Sequence, residues 1–300
     1  MEDNIGLKDI YINALKGLKG FDDSAIEEAI SLAQNDVVEN IEEFIDFINF
    51  NIEEKKFPQI IKPFNERIIK EAVEKVKRNE GQVSLYVSTK RGDYPLKLLK
   101  SNIEPLSPLS YKGNLKNVDR KTIMITGSSF ITKNAKLASK YFGKLYARSG
   151  YNILTSFAEG CEQNSVMGCL EACGRSTFFL PHDIDSLSDT EKKIIQKELG
   201  TGRTALISFF KSSNATINRI EDLYSYLAAI TDCLIVPQLS ASDAVMDLVR
   251  KCLKVNKPVY FIKYKTGKGD EYNCSHLLRG IKYLTSDTAS HIKVAIGEAD

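Results

Sequence analysis

The side chains that could do chemistry gather at a few turns. Gly127, Ser128 and Ser129 follow the apolar run Thr122–Thr126 and precede a helical pattern. A small turn of this kind lets backbone N–H groups approach an anion, and the helix start behind it adds a partial positive charge. Ser240, Ser242 and Asp243 stand in the same relation to a later strand, and Ser156, Glu159 and Gly160 lie after another. The loop 211–219 brings Lys211, Asn214 and Arg219, and Lys133 opens the helical pattern after the first turn. Hydroxyls, backbone donors and cations in that combination suit phosphate groups. One such turn is not specific, because Gly and Ser are common wherever a strand passes into a helix.

The motifs of the common nucleotide and hydrolytic enzymes are absent. No GxGxxG follows the first strand, and the chain contains neither GxxxxGK[ST] nor GxSxG. Three histidines, at 182, 276 and 291, leave few ligands for a metal or a catalytic triad. Pro181, His182, Asp183 and Asp185 allow a metal corner, but a polar loop capping the next helix is the preferred reading. No catalytic activity, cofactor or metal is therefore expected. The six cysteines form no CxxC pair and read as reduced, buried thiols of a cytoplasmic protein. Cys169 and Cys173 are expected to share one helical face as core residues.

The elements that must hold those turns alternate regularly from residue 121 onward. Strands are expected at 122–126, 152–155, 177–180, 205–209, 233–236 and 259–262. Helices are expected near 162–173, 189–199, 217–230 and 244–255. Another follows the first turn, with Leu137, Ala138, Tyr141, Phe142 and Leu145 as its apolar face. Six strands alternating with helices imply an α/β fold with a doubly wound, mostly parallel, Rossmann-like sheet. Ligands of such sheets bind beyond the carboxyl ends of the strands, where the turns above lie.

The first eighty residues differ. Ile41, Phe44, Ile45 and Ile48 recur at helical spacing, Ser24 to Glu27 forms a capping-box pattern, and Gly17 to Gly20 marks a break between short helices. A last helix is expected near 65–79, and Val83, Leu85 and Val87 alternate as a short strand. The expected organisation is a helical module at 1–80, a Rossmann-like domain at 81–287 and a short tail at 288–300. Of 300 residues, 41 are Lys or Arg and 39 are Asp or Glu, a net charge of +2. That near balance conceals an acidic helical module and a basic remainder, which is where a polyanion would bind. No apolar run approaches the ~18–20 residues of a membrane helix, and the acidic start MEDNIGLKD is unlike a signal peptide.

Taken in order, several segments resemble the DprA (Smf) family of DNA-processing proteins. Asp93, Tyr94 and Pro95 lead to Pro105–Leu109 and Tyr111–Leu115. Ile123 to Ser128 stands where the family has a strand ending in Gly-Ser-Arg. Leu170 to Arg175 (LEACGR) is similar to the family's Leu-Glu-Ala-Gly-Gly-Arg. Asn218 to Ile220 with Leu227 to Asp232, Ser240 to Ser242, and Leu277 to Thr285 follow in the family's order. The resemblance covers residues ~83–287. It implies an extended Rossmann domain that binds single-stranded DNA, forms homodimers and helps a RecA recombinase to load during transformation.

The departures fall on the expected DNA groove. Ser129 stands at the family's arginine, Glu159 replaces another arginine, Glu162 replaces an aspartate and Val166 a histidine. The segment 214–219 keeps Asn214 and Arg219 but lacks the family's Phe-Pro and one basic residue. Residues after Thr285 are too few for a winged-helix module. Two functions are expected from this. In the first, the chain binds single-stranded DNA non-catalytically, with Lys133, Lys211 and Arg219 on phosphates and Ser128 and Ser129 as donors; Lys136 and Lys140 extend the basic surface. In the alternative it is a sensor of a small nucleotide, with Glu159 on a ribose hydroxyl and the Gly127 and Ser242 turns around one phosphate.

Overall fold

The apolar runs become strands because they bury both faces. A computed structural model describes residues 40–53, 66–78, 85–87, 94–103, 109–182, 184, 187–209, 219–264, 273–285 and 288, with isolated positions between 14 and 29. The expected break at Gly17–Gly20, apart from Leu18, and the Ser24 capping box lie outside the described residues. The chain forms two compact units. One comprises residues 1–94, 107–112 and 209–216, and the other the remainder.

In the first unit, α1 (Ile41–Glu53) packs against α2 (Glu66–Arg78). Phe44, Ile45 and Ile48 of α1 and Ile69 and Val73 of α2 are buried, which matches their i, i+4 spacing. Asn40 starts α1 by accepting the Glu43 N–H at 2.9 Å, while its amide donates to Glu43 Oε1 at 2.7 Å. β1 (Leu85–Val87) pairs antiparallel with β2 (Leu109–Gly113).

The second unit is the Rossmann-like part. Its strands are β3 (Thr122–Ile125), β4 (Asn152–Thr155), β5 (Arg175–Leu180), β6 (Thr204–Phe209), β7 (Cys233–Val236), β8 (Val259–Ile262) and β9 (Lys282–Leu284), in the order β6-β5-β4-β3-β7-β8-β9. The pairings are parallel throughout. The chain winds outward from β3 to β6, then returns to the other side of β3 for β7 to β9. That reversal makes a switch point between β3 and β7, where a crevice opens at the strand ends. A seventh strand, β9, joins the six expected. Its three residues leave Lys282 and Tyr283 exposed, too little apolar pattern to announce a strand.

Helices cover both faces. α4 (Lys133–Arg148) lays Phe142 and Tyr146 against Ile123, Ile125, Cys233 and Ile235. On the opposite face Phe179 of β5 meets Tyr226 of α7 (Arg219–Ile230), with ring centroids 5.8 Å apart and nearly perpendicular. The remaining helices are the short α3 (Leu96–Leu99), α5 (Cys161–Glu171), α6 (Asp189–Leu199) and α8 (Val245–Lys254).

Two expectations need correction. The buried face of α4 is Ala135, Ser139, Phe142, Gly143, Tyr146 and Ala147, whereas Leu137 and Tyr141 are 58% and 49% exposed. Ala135, Ser139, Gly143 and Ala147 repeat every four residues as a stripe of small side chains, and α5 packs closely on this helix. Close helix approach selected small residues over large ones. Cys173 is also not on a helix: α5 ends at Glu171, and Cys173 sits exposed with φ +52° in the following turn. The other five thiols are buried, and burial pushes those of Cys161, Cys169 and Cys252 up to about 12.

One ion pair anchors α3 beneath the sheet. Lys97 Nζ donates to Asp232 Oδ2 at 2.5 Å and to the carbonyls of Arg120 and Ile230. The same Asp232 oxygen accepts the Thr122 N–H at 2.7 Å, so the pair also fixes the start of β3. Burial lowers the Lys97 pKa, against the opposing pull of Asp232. Both side chains are only 18% exposed. Asp232→Asn, which strands a buried ammonium, is expected to cost about 3–5 kcal/mol of unfolding free energy. Urea denaturation checks this, and a loss below ~1 kcal/mol would contradict it.

Candidate nucleic-acid interface

Three turns converge at the carboxyl ends of β3, β4 and β7. Gly127 is required by crowding, since a Cβ there would lie 2.1 Å from the Gln238 carbonyl oxygen. Next to it the Ser128 N–H donates to that same carbonyl at 2.9 Å. Gly160 has φ +80°, and a Cβ on it would lie 2.3 Å from the Ser128 carbonyl oxygen and 2.4 Å from that of Ser129. The Cys161 N–H, first in α5, reaches the Ser128 carbonyl at 3.4 Å. A backbone oxygen therefore already takes a donor from the start of this helix.

The donors expected to meet a phosphate are also engaged. Ser128 is buried and its Oγ donates to Asp243 Oδ2 at 2.5 Å, while the Ser240 N–H donates to the same oxygen at 2.8 Å. Ser240 N–H lies 3.2 Å from Ser128 Oγ as well. The Asp243 carboxylate thus stands where an external anion would sit. The start of α4 is closed in a related way. Thr132 Oγ1 accepts the Ala135 N–H, and the Thr132 N–H and hydroxyl both donate to Gln238 Oε1 at 3.0 Å.

A second internal carboxylate supports the β4 turn. Glu162 is 3% exposed and accepts four donors. Thr126 Oγ1 reaches Oε1 at 2.6 Å, and the Ser156 N–H, Ser156 Oγ and Thr155 Oγ1 reach Oε2 at 2.6, 2.8 and 3.1 Å. Charged hydrogen bonds of this kind are about twice as strong as neutral ones. The Phe157 N–H donates to Thr155 Oγ1 at 2.8 Å, and Phe157 sits in the left-handed region at φ +64° with its ring packed on Phe178. Burial first, then Glu162, Asp247 and Asp243, push the Tyr224 phenol up to about 12.

The fold thus brings Gly127, Ser128, Ser129, Ser156, Gly160 and Ser240 to one edge. Ser129, Glu159 and Ser242 lie exposed on the same turns, and Lys133 is exposed at the head of α4. Lys136 is exposed too, whereas Lys140 is paired with Glu171 at 2.5 Å. Lys211 and Asn214 lie outside the described residues, as does the Arg219 side chain. His182 Nε2 lies 3.1 Å from Glu191 Oε1, and Ser188 with Glu191 forms a capping box on α6, so this loop caps the next helix. Asp183 and Asp185 lie outside the described residues, among which no group of three His, Cys, Asp or Glu could hold a metal. No described helix is long and apolar enough to cross a membrane.

The model of the DNA recombination-mediator protein A family matches residues 85–293. The chain belongs to that family. Protein Smf of Borreliella burgdorferi is 26% identical over 203 residues, 65% of this chain and 60% of the relative, so the match spans less than two thirds of that protein. Among solved structures, DNA processing protein A (DprA) of Streptococcus pneumoniae aligns over 96% of this chain and 98% of its own, with TM-score 0.59 and 17% identity. The Helicobacter pylori DNA processing protein A, whose structure describes a single-stranded DNA binding mode, aligns over 72% of this chain and 89% of its own, with TM-score 0.51 and 17% identity. Those likenesses establish the family's Rossmann-like fold here.

Asp243, expected only as part of the last turn, and Glu162, expected only as the replacement of a family aspartate, organise this family member's turns as internal acceptors. Thr126 and Thr155, hydroxyls at the ends of adjacent strands, were the available signal for Glu162. Asp243→Ala should release Ser128 Oγ and the Ser240 N–H for an external anion. Inorganic phosphate is then expected to raise the variant's melting temperature and leave the wild type unchanged. A variant indifferent to phosphate would contradict the reading of Asp243 as an internal anion.

Proposed function

We propose that this protein is a DNA-processing factor that binds single-stranded DNA without catalysing a reaction, works as a homodimer and acts with a RecA-type recombinase in recombination. Family membership, on a fold that brings the turn motifs to one strand-end edge, carries the reading. The basic balance outside the helical module supports it, since affinity for single strands is dominated by phosphate neutralisation. Lys133, Lys211 and Arg219 contact phosphates, and Ser129 adds a hydroxyl. Gly127 and Gly160 let the backbone approach, with Ser156, Ser240 and Ser242 along the same rim, and Asn214 adds an amide. The nucleotide-sensor alternative has less support, because Asp243 holds the donors that a lone phosphate would need.

Fluorescence anisotropy of a single-stranded oligonucleotide, with and without a RecA-type recombinase, tests the proposal. Binding should weaken with salt at a log–log slope of about −0.7 per phosphate contacted. Lys211→Ala/Arg219→Ala should bind more weakly and with a shallower slope. Salt-independent binding, or a double variant equal to the wild type, would sink it.

A further inference from the structure

Helix α4 presents Lys133, Leu137 and Tyr141 at i, i+4 and i+8, a single outward stripe. Leu137 and Tyr141 are about half exposed, and Phe130, one residue beyond Ser129, is 91% exposed. Beside the stripe lies a groove of about 290 Å³. Its floor includes the buried Phe142 and Ile262, and Leu137, Tyr141, Tyr264 and Lys263 line it further. This volume is at the small end of the ~300–1,000 Å³ of ligand pockets, enough for one planar ring system. Ile262 ends β8, so the groove opens at the same strand-end edge as the three turns.

Charge identifies the occupant. Among the described residues no carboxylate lines the groove. Lys263 lines it and Lys133 is exposed one turn before Leu137, and among the described residues neither is in an ion pair. Lys263 Nζ lies 5.9 Å over the Tyr283 ring instead. Aromatic and aliphatic walls with a cationic rim fit a molecule that combines flat apolar rings with a repeating negative charge. Bases stack on such walls irrespective of sequence, while lysines follow the backbone. We propose that this groove is a base-stacking subsite for single-stranded DNA, an inference that rests on the function proposed above.

The test compares wild type with Leu137→Ala/Tyr141→Ala, both exposed positions, on an oligonucleotide and on an abasic strand of equal length and charge. The variant should bind the oligonucleotide about 5- to 150-fold more weakly, the effect of losing ~1–3 kcal/mol from one stacked base. Both proteins should bind the abasic strand alike. Unchanged oligonucleotide affinity would overturn the subsite while leaving the proposed function standing. An equal loss on the abasic strand would also overturn it. So would dissociation of a dimer by sedimentation with DNA binding intact, which would assign the stripe to contact between copies. A wild type that binds neither strand removes both proposals.

Discussion

The carboxylate of Asp243, bridging Ser128 Oγ and the Ser240 N–H across the switch point, is the contact on which the strand-end edge depends. β3 and β7 are adjacent and parallel, so the turns leaving them must close over one crevice. The β7 turn brings the Ser240 N–H there and the β3 turn the Ser128 hydroxyl, and unsatisfied buried donors cost ~1–3 kcal/mol each. In many sheets of this architecture a ligand phosphate meets that need. Here a side chain does, and Glu162 does the same across β3 and β4 with four donors and, among the described residues, no cation.

Under the function proposed above, that arrangement moves recognition outward: with its donors taken by Asp243 and Glu162, the crevice leaves a polyanion to what stands on the rim. Ser129, Lys133 and Phe130 are exposed there, and the groove along α4 opens beside Lys133. A single phosphate gains little from such a surface, whereas a strand that contacts several lysines and stacks a base gains from each.

Much of the fold was legible in the residues. Runs such as TIMI, NILT, CLIV and VYFI are apolar on both faces, which in alternation with helices admits little besides a parallel sheet. Side-chain direction was less legible. Large residues pointed to Leu137 and Tyr141 as the inner face of α4, but proximity to α5 favoured Ala135, Ser139, Gly143 and Ala147. Long-range pairs were invisible: Lys97 and Asp232 are 135 positions apart, and Ser128 and Asp243 are 115. Sequence shows that a serine and an aspartate each begin a turn, but not that one satisfies the other. The turns could therefore be located, while the carboxylates that take up their donors could not.

Competition binding addresses the central claim most directly. A labelled single-stranded oligonucleotide bound to the wild-type protein is challenged with unlabelled oligonucleotide, or with mononucleotide at the same total phosphate. Displacement by the oligonucleotide alone is the expected result, since an extended rim rewards many phosphates and stacked bases together. Equal displacement by mononucleotide would contradict it and return recognition to a single phosphate pocket at the switch point.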